Sequence, residues 1–259
     1  MWESTTPITF ILEVQPPLTR LLASQFPKVT VISHGGPLPS FTHHCPLMSL
    51  PAIFQTTLET VPNKIPYLHA DPELTKARAA ELANLGAPSL ARPLGQGWDQ
   101  QHTAKIGISW AGNPNYRADH ERSTHLETFL PLLKIPRIHW ISLQKGESAN
   151  QISELPPEVS LHDGSSQDRD LADTAALVAN LDLVITTDTA IAHLAGALGK
   201  PLWLLLPWQS DWRWMQQTLT TPWYPTARLF RQSSPGHWSE LVQRVIHELP
   251  AALAQIPRK

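Results

Sequence analysis

The chain has 259 residues, 22 acidic against 20 Lys and Arg, and 42% hydrophobic residues. That is enough for one large domain or two modest ones. The balanced, scattered charge argues against nucleic acid as a partner, which would call for a basic stripe or patch. One cysteine, Cys45, excludes an internal disulfide framework and fits a reducing compartment. The apolar run at 8–12 is too short for a secretory signal and has no basic segment before it. No stretch approaches the ~20 apolar residues of a membrane helix, so no transmembrane segment and a cytoplasmic location are expected.

Residues 8–14 read as a strand, broken by Pro16 and Pro17, and residues 18–25 as a short helix. A second strand over 28–33 ends at Gly35-Gly36-Pro37. Residues 72–85 predict a helix, with Asp71 as N-cap and Pro72 at the first helical position. Residues 86–103, rich in Gly, Pro and Gln, read as a linker. Beyond it strands and helices alternate. Strands are predicted at 105–110, 138–143, near 159–162, at 183–187, 202–206 and near 228–230, and helices at 124–134, 171–180, 189–198 and 238–249. Gly199 is a natural stop for the helix before it. Such alternation implies a parallel sheet with helices on both faces. The near-continuous apolar runs 183–187 and 202–206 suit strands covered on both sides.

In an open parallel sheet, ligands bind outside the carboxyl ends of the strands. Asp188, Thr189 and His193 stand where strand 183–187 passes into helix 189–198. A helix start offers free N–H groups and partial positive charge, which suits a phosphate. Asp188 reads equally as a plain N-cap, and His193 equally as a core histidine satisfied by a carbonyl. Loop 112–123 also follows a strand. Its Asn113, Arg117, Arg122 and Ser123 can grip phosphate oxygens, or the loop is simply solvated with Ser123 or Thr124 capping the next helix. Lys145 ends a third strand as a point charge beside the same crevice. Trp208 and Trp212, in a Trp-rich loop after strand 202–206, can stack on a base or sugar, or only pack that loop. Asp168-Arg169-Asp170 reads as helix capping rather than metal binding, and the paired histidines lack the spacing of a metal site.

The run Thr187-Asp188-Thr189-Ala190-Ile191-Ala192-His193-Leu194-Ala195 resembles the D-[TS]-[GA]-x-x-H-L-A motif of the heptosyltransferase-like glycosyltransferases, family 9. Trp110-Ala111-Gly112-Asn113-Pro114, Arg122-Ser123, Ser142-Leu143-Gln144-Lys145-Gly146, Asp211-Trp212-Arg213-Trp214, Trp223-Tyr224-Pro225 and Leu229-Phe230-Arg231-Gln232 follow the same order as in the glycosyltransferase module that bacterial proteins carry after tetratricopeptide repeats. The resemblance implies an α/β fold of the GT-B type: two Rossmann-like domains with parallel sheets, a partial acceptor-side domain at 1–85, the linker at 86–103 and a nucleotide-sugar-binding domain at 104–259. It implies that Asp188, Thr189 and His193 contact a nucleotide-diphosphate sugar, with phosphate contacts from the helix start and the loop at 113–123, and that neither metal nor cofactor is needed. The expected reaction is inverting transfer of a hexosyl or heptosyl group to a hydroxyl of a saccharide, lipid or protein acceptor. The family's first domain opens with a Gly-rich G-x-G-D turn whose acidic residue is the proposed base. No residue here matches that turn, so the first domain is expected to be incomplete, with a partner chain to complete it. Glu13 and His34 are the remaining candidates for the base. A non-catalytic nucleotide-sugar-binding or protein-interaction module is the alternative.

Overall fold

The computed structural model describes residues 9–85 and 103–255. Nearly all of the expected linker, 86–102, therefore lies outside the described residues. Two parallel sheets form. The first holds β1 (Phe10–Val14) and β2 (Val29–Ser33), joined by α1 (Thr19–Gln25). A short α2 (Leu50–Ile53) and a longer α3 (Pro72–Ala83) follow. Asp71 caps α3 as expected, accepting from the N–H groups of Glu73 and Leu74 at 2.9 Å each, with Pro72 in the first turn.

The second sheet has six parallel strands: β3 (Ala104–Ser109), β4 (Ile138–Ser142), β5 (His162–Asp163), β6 (Leu183–Thr187), β7 (Leu202–Leu206) and β8 (Ala227–Arg231). Interleaved are α4 (Asp119–Arg122), α5 (Leu130–Leu133), α6 (Leu171–Ala179) and α7 (Ala190–Ala197), with α8 (Trp238–Leu253) at the end. The spatial order is β5-β4-β3-β6-β7-β8. The chain builds outward from β3 to one side, then returns to lay β6 against β3 and builds to the other. This is the doubly wound order, and β3 and β6 flank its switch point.

Alternation along each strand sorts the core into two layers. Val184, Leu202, Leu204, Leu206 and Leu229 face α6 and α7, whereas Leu183, Ile185, Trp203, Leu205 and Phe230 face α5 and α8. Both sets are buried, which is why β6 and β7 read as near-continuous apolar runs. Leu21 of α1, Leu82 of α3 and Leu68 between α2 and α3 join the layer over α6, so the N-terminal residues share its core.

Two expectations are corrected here. The helix read at 124–134 is a 3₁₀ turn at Leu126–Phe129 followed by the four residues of α5. Pro131 has no N–H to donate, which makes a continuous helix through it costly, and the break leaves it in a first turn. The last helix runs to Leu253, four residues past its expected end, carrying Pro250 inside it. Gly199 has φ +67°, the left-handed conformation that ends α7, as its sequence position implied.

Candidate functional site

The carboxyl ends of β3, β6 and β7 deliver three loops to the switch point. The first runs from Trp110 to Ser123 and closes on itself through Thr124 N–H to Trp110 C=O, 2.9 Å. Inside it, Asp119 is buried and accepts from Arg122 Nε (3.0 Å) and Ser123 Oγ (2.8 Å). Ser123 Oγ in turn accepts from Gly112 N–H (2.8 Å). The Ser123 side chain therefore braces the loop and does not cap the next helix. His125 stands at the start of the next turn, with no side-chain cap. A methyl at Gly112 would lie 2.3 Å from Asp119 Oδ1 and 2.8 Å from Arg122 Nη2, so this position has no room for a side chain. Arg122 lies over the Tyr116 ring at 4.7 Å, Asn113 turns back to accept from Asn115 N–H (3.0 Å), and Arg117 is exposed with no hydrogen bond or ion pair among the described residues.

Gln144, just past β4, anchors this loop from below. Its Oε1 accepts from Ser109 Oγ (3.0 Å), Trp110 N–H (3.0 Å) and Ala111 N–H (2.9 Å). Its Nε2 donates to the carbonyls of Ala111 and Lys145, both at 2.9 Å. Sequence reading quoted Gln144 only within a motif. A lone Gln between a strand end and Lys-Gly was the available signal, and nothing local reveals its partners 33 to 35 residues away.

At the end of β6 the helix cap is Thr189, not Asp188. Thr189 Oγ1 accepts from Ile191 N–H (3.3 Å) and meets Thr186 Oγ1 at 3.2 Å. Asp188 precedes the cap, buried. Burial pushes its carboxyl above the usual range, and the Trp214 indole together with His193 and Arg122 opposes that rise. α7 is buried along its length except at Ala190 and His193, which share the open side of its first turn. His193 stacks on Trp214 with ring centres 5.3 Å apart, and its Nδ1 lies 2.9 Å from Tyr224 Oη. Burial pulls the imidazole below its ordinary pKa, and Asp188 counteracts this.

The third loop follows β7. Asp211 caps a short 3₁₀ turn and pairs with Arg213 (2.9 Å). Arg213 lies over the Trp212 ring at 4.5 Å, and its charge acts on both His193 and Tyr224. Trp212 and Trp208 are 60% and 48% exposed, with Arg213 over one face of Trp212, whereas Trp214 is buried. Arg231 of β8 holds this loop through Ser210 Oγ and the carbonyls of Trp214 and Met215.

Lys145, expected as a point charge beside the crevice, is ion-paired. It pairs at 3.3 Å with Asp168, whose side chain is fully buried and also binds Arg78 of α3 and Thr174 Oγ1 (2.7 Å). Of the Asp168-Arg169-Asp170 triplet only Asp170 caps α6, accepting from Ala172 N–H at 2.8 Å and Asp173 N–H at 3.4 Å. Asp168 is instead the centre of a buried ion cluster. Glu13 and His34 pair with each other at 2.9 Å at the ends of β1 and β2, and no hydrogen bond or ion pair joins them to Asp188 or His193 among the described residues. No cluster of three or more metal-ligating side chains occurs among the described residues. No helix among them is long and apolar enough to cross a membrane.

A doubly wound parallel sheet with polar loops and a helix start at its switch point defines a Rossmann-like domain. The family model of glycosyltransferase family 9 (heptosyltransferase) matches residues 168–206, which carry α6, β6, α7 and β7. Residues 168–206 are thus similar to family 9, as the motif at 187–195 implied. The chain is 28% identical over 256 residues to Protein FlbA of Caulobacter vibrioides, the match covering 90% of this chain and 40% of that protein. The chain therefore spans about two fifths of that relative's length. Its fold resembles ADP-heptose LPS heptosyltransferase II of E. coli, with a TM-score of 0.51 and 19% identity over 77% of this chain and 57% of that one. The family 9 glycosyl transferase of Veillonella parvula aligns with a TM-score of 0.47 and 14% identity, over 90% of this chain and 57% of that one. The expected α/β, GT-B-type fold is borne out.

Proposed function

We propose that the cleft at the β3/β6 switch point binds a nucleotide-diphosphate sugar, and that the protein transfers its sugar to a hydroxyl acceptor with inversion and without a metal. One observation carries this reading. The loop held by Asp119 and Ser123, the start of α7 with Thr189 and His193, and the Arg213 turn meet at one end of one sheet, so Arg122 and Arg213 both act on His193. Such a place suits a diphosphate, because a departing diphosphate needs positive charge and N–H donors and both are built in. Exposed Trp208 and Trp212 offer faces for a base or sugar, and exposed Arg117 and Asn113 lie on the loop that would close over phosphate oxygens. ADP is the first nucleotide to test, since the E. coli relative's name specifies ADP-heptose. A cytoplasmic site, where nucleotide sugars are made, fits this reading.

A second reading keeps donor binding without transfer. It is favoured by the candidate bases Glu13 and His34, which bond to each other at 2.9 Å on an exposed edge. Calorimetric titration with ADP, UDP and GDP, in the wild type and in Asp188→Ala and His193→Ala, tests both readings. Binding that both variants weaken supports a donor site, and release of nucleoside diphosphate from a donor sugar in the presence of acceptor separates transfer from binding. No binding at millimolar nucleotide, or binding unchanged in both variants, refutes the site.

A further inference from the structure

His193 is gripped on two sides. Trp214 stacks on its face with planes 25° apart, and Tyr224 meets its edge through Oη to Nδ1, 2.9 Å. Tyr224 reaches this position because residue 196 is glycine. A methyl there would lie 2.4 Å from the Tyr224 ring. On the far side of Tyr224 stands Tyr67, with the two hydroxyls 3.5 Å apart. Tyr67 is itself fixed by the backbone. Its N–H and that of Leu68 both donate to Ala197 C=O, at 3.0 and 3.2 Å, at the end of α7. A chain Tyr67–Tyr224–His193 therefore runs from the N-terminal half of the molecule to the cleft, and no hydrogen bond occupies Nε2 of His193 among the described residues.

The chemistry fixes the direction of this chain. A phenol has one proton to give, and a neutral imidazole nitrogen is a better acceptor than a phenol oxygen. Tyr224 is buried, which pushes its ionisation well above the usual tyrosine range and keeps the proton on oxygen. Around His193, Asp188 and Asp211 favour protonation and Arg213 and Arg122 oppose it, while burial, the largest influence, favours the neutral ring. We infer that Tyr224 is a positioning residue that donates to Nδ1 and so holds neutral His193 with its proton on Nε2. Its hydroxyl accepts from Tyr67 or from water. His193 then presents the cleft with a hydrogen-bond donor for an anionic oxygen and cannot serve there as a general base. The ligand in this inference rests on the proposed nucleotide-sugar reading; the tautomer does not.

The test uses the full chain labelled with ¹⁵N-histidine and long-range imidazole proton–nitrogen correlation spectra, with His193 assigned by its loss in His193→Gln. The wild type is expected to show the Nε2–H form, with Nδ1 at the shift of an unprotonated nitrogen. Tyr224→Phe keeps the ring but removes the donor, so the two His193 nitrogens should move toward a common averaged shift while the other histidines stay in place, reporting an intact fold. Tyr67→Phe should leave the His193 pattern unchanged. An Nδ1–H form in the wild type, or an unchanged His193 in Tyr224→Phe, overturns the inference. Titration with ADP, UDP and GDP supplies the second arm. Tyr224→Phe should weaken the tightest of the three about three- to tenfold, as expected for one misdirected hydrogen bond, and Tyr67→Phe by less than twofold. Undiminished binding in Tyr224→Phe overturns the donor role of His193. If none of the three nucleotides binds the wild type, the proposed function fails while the spectra still decide the tautomer.

Discussion

Replacing Gln144 with Leu tests whether one side chain organises the cleft. The Gln144 side chain makes five hydrogen bonds, three accepted and two donated, and the residue is 2% exposed. Leucine fills similar space but leaves the N–H groups of Trp110 and Ala111 and the carbonyls of Ala111 and Lys145 without this partner. A buried backbone group left unpaired costs about 1–3 kcal/mol, and neighbouring losses do not add in full. The expected loss is about 3–5 kcal/mol, a large share of the ~5–15 kcal/mol that stabilises an ordinary domain. Gln144→Glu separates the contributions. Its carboxylate can still accept from the three donors, but it cannot donate to the two carbonyls, and its charge must be buried or neutralised. It should fall between wild type and leucine in neutral buffer and recover as the carboxyl protonates in acid. Urea unfolding followed by tryptophan fluorescence reads all three proteins. A leucine variant within 1 kcal/mol of wild type would refute the reasoning, because these groups must then find other partners at little cost.

Three further outcomes are expected. Gly112→Ala pushes a methyl into Asp119 and Arg122, so nucleotide binding should drop at least tenfold by calorimetry while the melting temperature falls only a few degrees. Gly196→Ala forces Tyr224 off α7, which should cost about 1–3 kcal/mol in thermal unfolding. Arg20 hydrogen-bonds Asp170 and Asp173 (2.6 and 2.5 Å), and this holds the Asp170 carboxyl below its usual range, while Arg169 first and then Arg20 do the same for Asp173. Depressed folded-state values stabilise the protein above the unfolded carboxyl pKa of about 4 and lose that stabilisation as pH falls below it. Arg20→Met should therefore cost about 1 kcal/mol at pH 7, since Arg20 is partly exposed, and progressively less below pH 4 in urea titrations.

β6 and β7 were legible in the sequence to the residue, because strands covered on both faces leave an apolar run that nothing else imitates. So was the cap at Asp71, where the side chain, the proline and the helix are neighbours in sequence. Capping was one of two readings open for Asp188, because Asp and Thr are both good caps and one residue of register separates them. Backbone geometry decided for Thr189, with φ −134° and ψ 174°. Lys145 reads as a free cation only until Asp168 and Arg78 are brought to it across the fold. Tyr224 likewise stood in a Trp-Tyr-Pro motif with no local sign that it addresses a histidine 31 residues away. What stayed hidden was polar pairing at long range, which leaves no periodic trace in a chain.

The clasp of α1 and α3 on α6 bears on how this protein can be re-engineered. Arg20 and Arg78 bond to aspartates around the start of α6, Asn180 Nδ2 donates to Thr75 C=O (2.9 Å), and Leu21 and Leu82 are buried beside Leu177. The outer surface of α6 is thus a fitted socket. Exchanging residues 9–85 for the equivalent part of a relative would succeed only if that socket travelled with them. A graft that left α6 unaltered would strand buried aspartates and leucines against an unmatched surface, and melting of the hybrid in two separate steps would report the mismatch.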